Sequence, residues 1–399
     1  MVESLTYLTY LAGIFLGGVL ISLICHKIRL PNVFFLILFG MVLSNISYNG
    51  KPLVNFPISF IATIALFALI LIIFDGGSKL KLKEVDDFSL AALKLYFMFA
   101  IIIVIFLTPL TMMFFGVINI YLAIIFSIVM GATAAEIVFV LFKTGVKNDP
   151  IRILEIESLV NDVFVILFPI MILNFLANTE VSFTLIEQLK LFGQQIITGI
   201  GAGIIVYLIL FKIMRVHLVD EYTKGLSKLT LLMSALVTYV VAELLKGNGI
   251  LAVTTLALLF GNSSLKQKAE IEEISSIFSN ALEILIFVLI GLVIHLPLSL
   301  GFIITSLFLY LVYTFLRYLS VHLAFKKKYN IKEKLFMTLV MPKGISATTL
   351  VLVIATYNIP GIEPILNLFL IFTLYSIIVG TVAVKMSKYF FNETGYVNK

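Results

Sequence analysis

Glu157-Ser158-Leu159-Val160-Asn161-Asp162 places two carboxylates, an amide and a hydroxyl inside an apolar run that continues to Leu173. A run of that length reads as a membrane span, and an ionisable group at membrane depth is costly enough to mark an ion or proton pathway. Glu157 and Asn161, like Ser158 and Asp162, are four residues apart, so the polar groups share one side of a helix. Competition at one carboxylate is the simplest chemistry for exchange. A hard monovalent cation takes oxygen ligands, and protonation removes the charge that holds it. Asp162 is the leading candidate for that carboxylate, with Ser158 Oγ as a further ligand. The other reading, a carboxylate locked in a structural ion pair, fits Glu157 better. Arg317 is its expected partner, because a guanidinium stays charged when buried and binds carboxylate bidentately.

Further polar residues fall inside apolar runs. Thr133 sits in Gly131-Ala132-Thr133-Ala134-Ala135, a weak helix former. Unwound backbone is tolerated at mid-membrane where it lines a cavity, and Thr133 then offers a cation ligand. In the competing reading its hydroxyl bonds back to its own helix. Lys343, in Met341-Pro342-Lys343-Gly344, either neutralises a broken-helix end facing it or snorkels to the surface; the first reading is preferred. Asp75, in Phe74-Asp75-Gly76-Gly77, either lines the inner mouth of a cation path or is an interfacial residue before a turn. Glu243 is three residues from Lys246 and is expected in an ordinary surface pair. Lys94, Glu136, Glu155 and Glu283 receive no role. His26, His217, His295 and His322 lie near span ends and suit interfacial positions better than metal ligation.

The elements that must position these groups are membrane helices. The chain has 399 residues, is 61% hydrophobic and 13% charged, and its mean hydropathy is +1.14, far from a soluble domain. Apolar runs of spanning length fall near 5–25, 31–47, 57–75, 89–116, 118–142, 151–177, 190–215, 227–246, 249–263, 274–296, 298–325, 334–355 and 362–387. The first lacks a basic leader segment and is expected as a mature span rather than a cleaved signal. With residue 1 outside, the loops on the inside carry most of the Lys and Arg, and the outside loops only Lys51, Lys190 and Lys246. That satisfies the positive-inside rule at every loop, so thirteen spans with the N-terminus out and the C-terminus cytoplasmic are expected. The net charge of +6 therefore needs no nucleic-acid partner.

An odd span count permits two six-helix halves of opposite orientation. Residues 1–177 form the first repeat (helices 1–6), 178–226 the connecting helix 7 and its loops, and 227–399 the second repeat (helices 8–13) with a short cytoplasmic tail. Leu38-Phe39-Gly40 in span 2 parallels Leu259-Phe260-Gly261 in span 9. The small-residue stretch from Gly131 in span 5 parallels the one from Gly344 in span 12. Gly-interrupted helices in matching positions point to a secondary transporter with its site at mid-membrane.

Several classes are excluded. No Walker-type phosphate loop occurs, so no nucleotide is expected and nothing hydrolyses ATP. No Thr-Val-Gly-Tyr-Gly filter occurs, and no His/Cys cluster has metal-site spacing. Cys25 is the one cysteine, so an intrachain disulfide is impossible. No enzyme activity and no cofactor are expected.

These motifs resemble monovalent cation:proton antiporters of family 1, the group of archaeal and bacterial sodium/proton antiporters. Glu157-Ser158-Leu159-Val160-Asn161-Asp162 resembles their Glu-Ser-x-x-Asn-Asp. Phe74-Asp75-Gly76-Gly77 is similar to their third-helix acidic motif, and Gly249-Ile250-Leu251-Ala252-Val253 through Gly261-Asn262 to their ninth span. Arg317-Tyr318-Leu319-Ser320-Val321 resembles Arg-x-x-Ser-Val, and Pro342-Lys343-Gly344 stands where many members have Pro-Arg-Gly.

The resemblance implies an all-α polytopic membrane protein of about 13 transmembrane helices, in two inverted six-helix repeats with broken, crossed helices 5 and 12. It also implies a homodimer in the cell membrane that serves pH homeostasis. Carried over, Asp162 is the cation and proton carboxylate, Ser158 and Thr133 are further ligands of Na+, and Asp75 is the acidic residue near the cation. Glu157 and Arg317 form a structural pair, and Asn161 holds the Asp162 neighbourhood. The Asn-Asp version is associated with electroneutral exchange. One departure stands out: many members have Thr-Asp-Pro in the fifth span, where this chain has Thr133-Ala134-Ala135, and Glu136 lies out of register.

The expected function is a Na+/H+ antiporter. A K+/H+ antiporter on the same scaffold is the neighbouring reading. A cation channel or sensor, which would not depend on a proton gradient, is the reading from a different class.

Overall fold

The computed structural model describes residues 2–28, 30–48, 51–80, 86–134, 149–177, 185–217, 223–263, 268–297, 299–326, 328–357 and 359–391. Helices make up nearly all of these. They are α1 (Val2–Ile28), α2 (Asn32–Asn45), α3 (Ile58–Lys79), α4 (Asp87–Phe115), α5 (Ile120–Met130), α6 (Asp149–Ala177) and α7 (Leu185–His217). Next come α8 (Thr223–Leu244), α9 (Gly249–Gly261), α10 (Lys268–Val293) and α11 (Leu300–Phe325). The chain ends with α12 (Ile331–Leu339), α13 (Ile345–Ala355), α14 (Glu363–Lys385) and the one-turn α15 (Ser387–Phe390). The exception is a two-residue antiparallel pairing, Ser47–Tyr48 with Lys51–Pro52. It is a turn-sized ladder that hydropathy does not reveal.

Among the described residues, seven helices are long and apolar enough to cross a membrane, and six more are shorter apolar pieces. Together they match the thirteen expected spans. Leu16, Ile101, Ile105, Leu208 and Phe315 lie exposed on the outer surface. Such a surface is stable only against lipid or a partner.

Local chemistry sets the ends of the elements. Asp86 caps α4: its side chain accepts from Ser89 N, and Ser89 answers at the Asp86 backbone, satisfying orphan donors of the first turn. The same helix ends on Gly116 at φ 63°, a left-handed conformation that suits glycine. Asn119, Asn248 and Ser299 cap α5, α9 and α11, and Asn330 closes a capping box with Glu333 on α12.

The chain packs as two compact units, each discontinuous in sequence. The first comprises Met1–Ala65, Asp86–Asn161 and Ala281–Lys399; the second comprises Leu66–Val85 and Asp162–Asn280. In the first, α2 and α10 cross backbone to backbone. A Cβ on Gly40 would lie 2.2 Å from Val288 O, and one on Gly291 would lie 2.3 Å from Ile37 O, so only glycine permits the approach. In the second, α7 presents Gly199 and Gly203 to Asn248 and Ala252 in the same manner.

Candidate functional site

The site in the first unit is built where two spans lose their helix. The apolar run at 118–142 carries the break expected in the fifth span: α5 stops at Met130 and the chain runs on unwound over 131–134. The expected span at 334–355 is likewise split, with α12 ending at Leu339 and α13 starting at Ile345. The two unwound stretches meet: Ala134 N donates to Pro342 O at 2.8 Å. A Cβ on Gly344 would lie 3.1 Å from that of Ala134, so small residues on both sides allow the contact.

Breaking α5 leaves its last carbonyls without helical partners and aims the negative end of its dipole inward. Lys343 meets that end. Its Nζ donates to Met130 O at 2.6 Å, Ala132 O at 2.7 Å and Tyr313 Oη at 2.8 Å, which uses all three ammonium protons. Tyr313 in turn donates to Met130 O at 2.9 Å. Lys343 is 1% exposed, so it does not snorkel. The sequence reading missed Tyr313. The available signal was its spacing of four residues from Arg317, which puts both on one face of α11.

Glu157 and Arg317 are both 0% exposed and make two bonds of 2.6 Å each, Arg317 Nη1 to Oε1 and Nη2 to Oε2. The Arg317 guanidinium also lies over the Phe99 ring, 4.8 Å from its centroid. Bidentate pairing and a stacked aromatic stabilise the buried guanidinium, whose Nε has no hydrogen-bond partner among the described residues.

One turn beyond Glu157, Asn161 Nδ2 donates to Thr133 Oγ1 at 2.6 Å. Thr133 lies beyond the end of α5, and its hydroxyl meets Asn161 of α6. Asn161 Oδ1 is buried and has no hydrogen-bond partner among the described residues. Ser158 Oγ donates to Glu155 O at 2.7 Å, which occupies its proton and leaves oxygen lone pairs for another partner. Asp162, next in α6, is half-buried and is the first residue of the second unit's second segment. Asp75, also in the second unit, accepts from Lys79 Nζ at 2.5 Å.

Glu243 does not pair with Lys246; its Oε1 accepts from Gly249 N at 2.9 Å. Lys246 takes φ 57° in the turn, and the carboxylate serves the N-terminus of α9, where backbone donors are in excess. Lys94 is exposed and donates to Ala324 O. Glu283 accepts from Asn32 Nδ2 at 3.0 Å. Glu136 lies outside the described residues. Among the described residues no cluster of three His, Cys, Asp or Glu could hold a metal ion.

The chain is similar to known proteins in sequence and in fold. A family model described as "Sodium/hydrogen exchanger, transmembrane" matches residues 11–387. The chain is 27% identical over 311 residues to the probable Na+/H+ antiporter 2 of Methanocaldococcus jannaschii, covering 73% of this chain and 70% of that protein. It is 24% identical over 280 residues to the K+/H+ antiporter NhaP2 of Shewanella oneidensis, but spans only 47% of that longer protein. The solved structure of the sodium proton antiporter MjNhaP1 from M. jannaschii at pH 8 superposes with a TM-score of 0.74, covering 98% of both chains at 19% identity. It therefore shares the fold.

Proposed function

From the premise that this chain belongs to the sodium/hydrogen exchanger family, we propose that it exchanges one monovalent cation, Na+, for one proton across the cell membrane. Asp162 is the carboxylate that either ion occupies. Ser158 Oγ and Thr133 supply neutral oxygen ligands, and Asp75 stands on the approach. The observation that carries this reading is the bond from Asn161 to Thr133. It holds the residue before Asp162 on the unwound stretch of the fifth span, where backbone and hydroxyl oxygens are freed from helical bonding. Glu157, Arg317 and Lys343 balance charge around that stretch and do not exchange ions. With asparagine in place of a second carboxylate, one charge leaves for each that enters, so the exchange is electroneutral.

Access alternates as the occupied carrier switches between faces, within a homodimer whose N-terminus lies outside and C-terminus inside. The two inverted halves, 1–177 and 227–399 joined through 178–226, belong to the same proposal. The antiporters named NhaP2 favour a second reading, K+ in place of Na+, on the same chemistry. Proton flux in proteoliposomes, followed with a pH-sensitive dye as Li+, Na+, K+ and Rb+ are added in turn, separates the two. Na+ is expected to give the largest response. A larger K+ response selects the second reading, and conductance with no proton coupling defeats both.

A further inference from the structure

The C-terminal end of α3 carries a contact that the exchange chemistry does not explain. Lys79 Nζ lies 2.5 Å from Asp75 Oδ2, one helical turn away. An ion pair that is 44% exposed on the lysine side contributes little to the fold. The backbone around it, however, is tightly held. Gly261 of α9 packs so closely that a Cβ there would lie 2.3 Å from Ser78 O, and one on Gly77 would lie 2.8 Å from Ala257 Cβ. Asn262 Nδ2 reaches Leu80 O at 2.9 Å. The residues on both sides of Lys79 are thus fixed while its long side chain faces open surface. Its ammonium can leave Asp75 without any movement of α3.

A lysine ammonium is itself a monovalent cation, tethered and always present. We propose that Lys79 is a built-in competitor: it occupies Asp75 in the empty carrier and is displaced when a transported cation arrives. This rests on the reading of Asp75 as the acidic residue on the cation's approach. Lys79 is a positioning residue here, since it acts through Asp75.

The test is a Na+ titration of initial exchange rates in proteoliposomes at one pH, for the wild type, Lys79→Gln, Lys79→Arg and Asp75→Asn, with thermal melts of each. The expected result is that Lys79→Gln lowers KM for Na+ about fivefold, the size of one charge pair at contact in water, with kcat little changed. Lys79→Arg should keep the wild-type KM, and in an Asp75→Asn background Lys79→Gln should change nothing further. If Asp75→Asn shifts KM while Lys79→Gln, melting like wild type, does not, the competitor idea is overturned and the role of Asp75 survives. If Asp75→Asn leaves KM unchanged, the role of Asp75 fails and the competitor fails with it.

Discussion

Glu157 and Arg317 are fully buried and joined by two short bonds. Removing either partner strands the other charge in a low-dielectric interior, a cost of about 3–5 kcal/mol. Glu157→Gln and Arg317→Ala should therefore each lower the melting temperature in detergent clearly. The Glu157→Gln/Arg317→Met double variant should lose less than the sum of the singles, because neither member of the pair is left charged without the other. Melts of both singles that overlay the wild type would show that the pair holds nothing. These residues were legible in the sequence because an ionisable letter in an apolar run stands out. Phe99, which completes the same cluster, was not, being one of 35 Phe, and Tyr313 was marked only by its four-residue spacing from Arg317. Nor could the sequence name the carbonyls of Met130 and Ala132 that receive Lys343, since backbone oxygens carry no letter.

At the scale of elements, the spans were readable and the breaks only partly so. Pro342 and Gly344 announce the interruption between α12 and α13. The end of α5 at Met130 has one glycine as its local signal, because Thr133, Ala134 and Ala135 tolerate helix as well as coil. Helix caps were also invisible to hydropathy, and the one on α4 yields a pH prediction. The Asp86 carboxyl lies at the helix start, outside the membrane span. Its pKa is held below the ordinary value, first by the Ser89 backbone N–H, then by the Ser89 hydroxyl, with Arg152 adding attraction. A depressed carboxyl contributes stability that is complete above its unfolded value, about 3.9, and lost as pH falls through the folded one. The melting temperature of the wild type should therefore approach that of Asp86→Ala as the pH is lowered through this range and stay above it near neutrality. A constant difference between the two at all pH values would remove the carboxyl from the account.

At the scale of the whole molecule, charge alternation across thirteen apolar runs was enough to predict the number of apolar spans found among the described residues, because water and lipid act on every span alike. Which helices pack together was not readable. The compact units join Met1–Ala65 with Ala281–Lys399, and Leu66–Val85 with Asp162–Asn280. Such groupings depend on close approaches like that of Gly40 to Val288, set by residues far apart in the chain. The proposed cycle is a property of this whole scaffold, since one carboxylate must be presented to each face in turn while sodium and protons compete for it. Exchange should then be bell-shaped in pH, falling at low pH as Asp162 stays protonated and at high pH as protons become scarce. The most direct measurement is Na+-driven proton exchange by Asp162→Asn in proteoliposomes across that pH range, beside wild type reconstituted at equal density and with matching melts. The variant should exchange nothing at any pH; wild-type rates from Asp162→Asn would show that another group carries the ions.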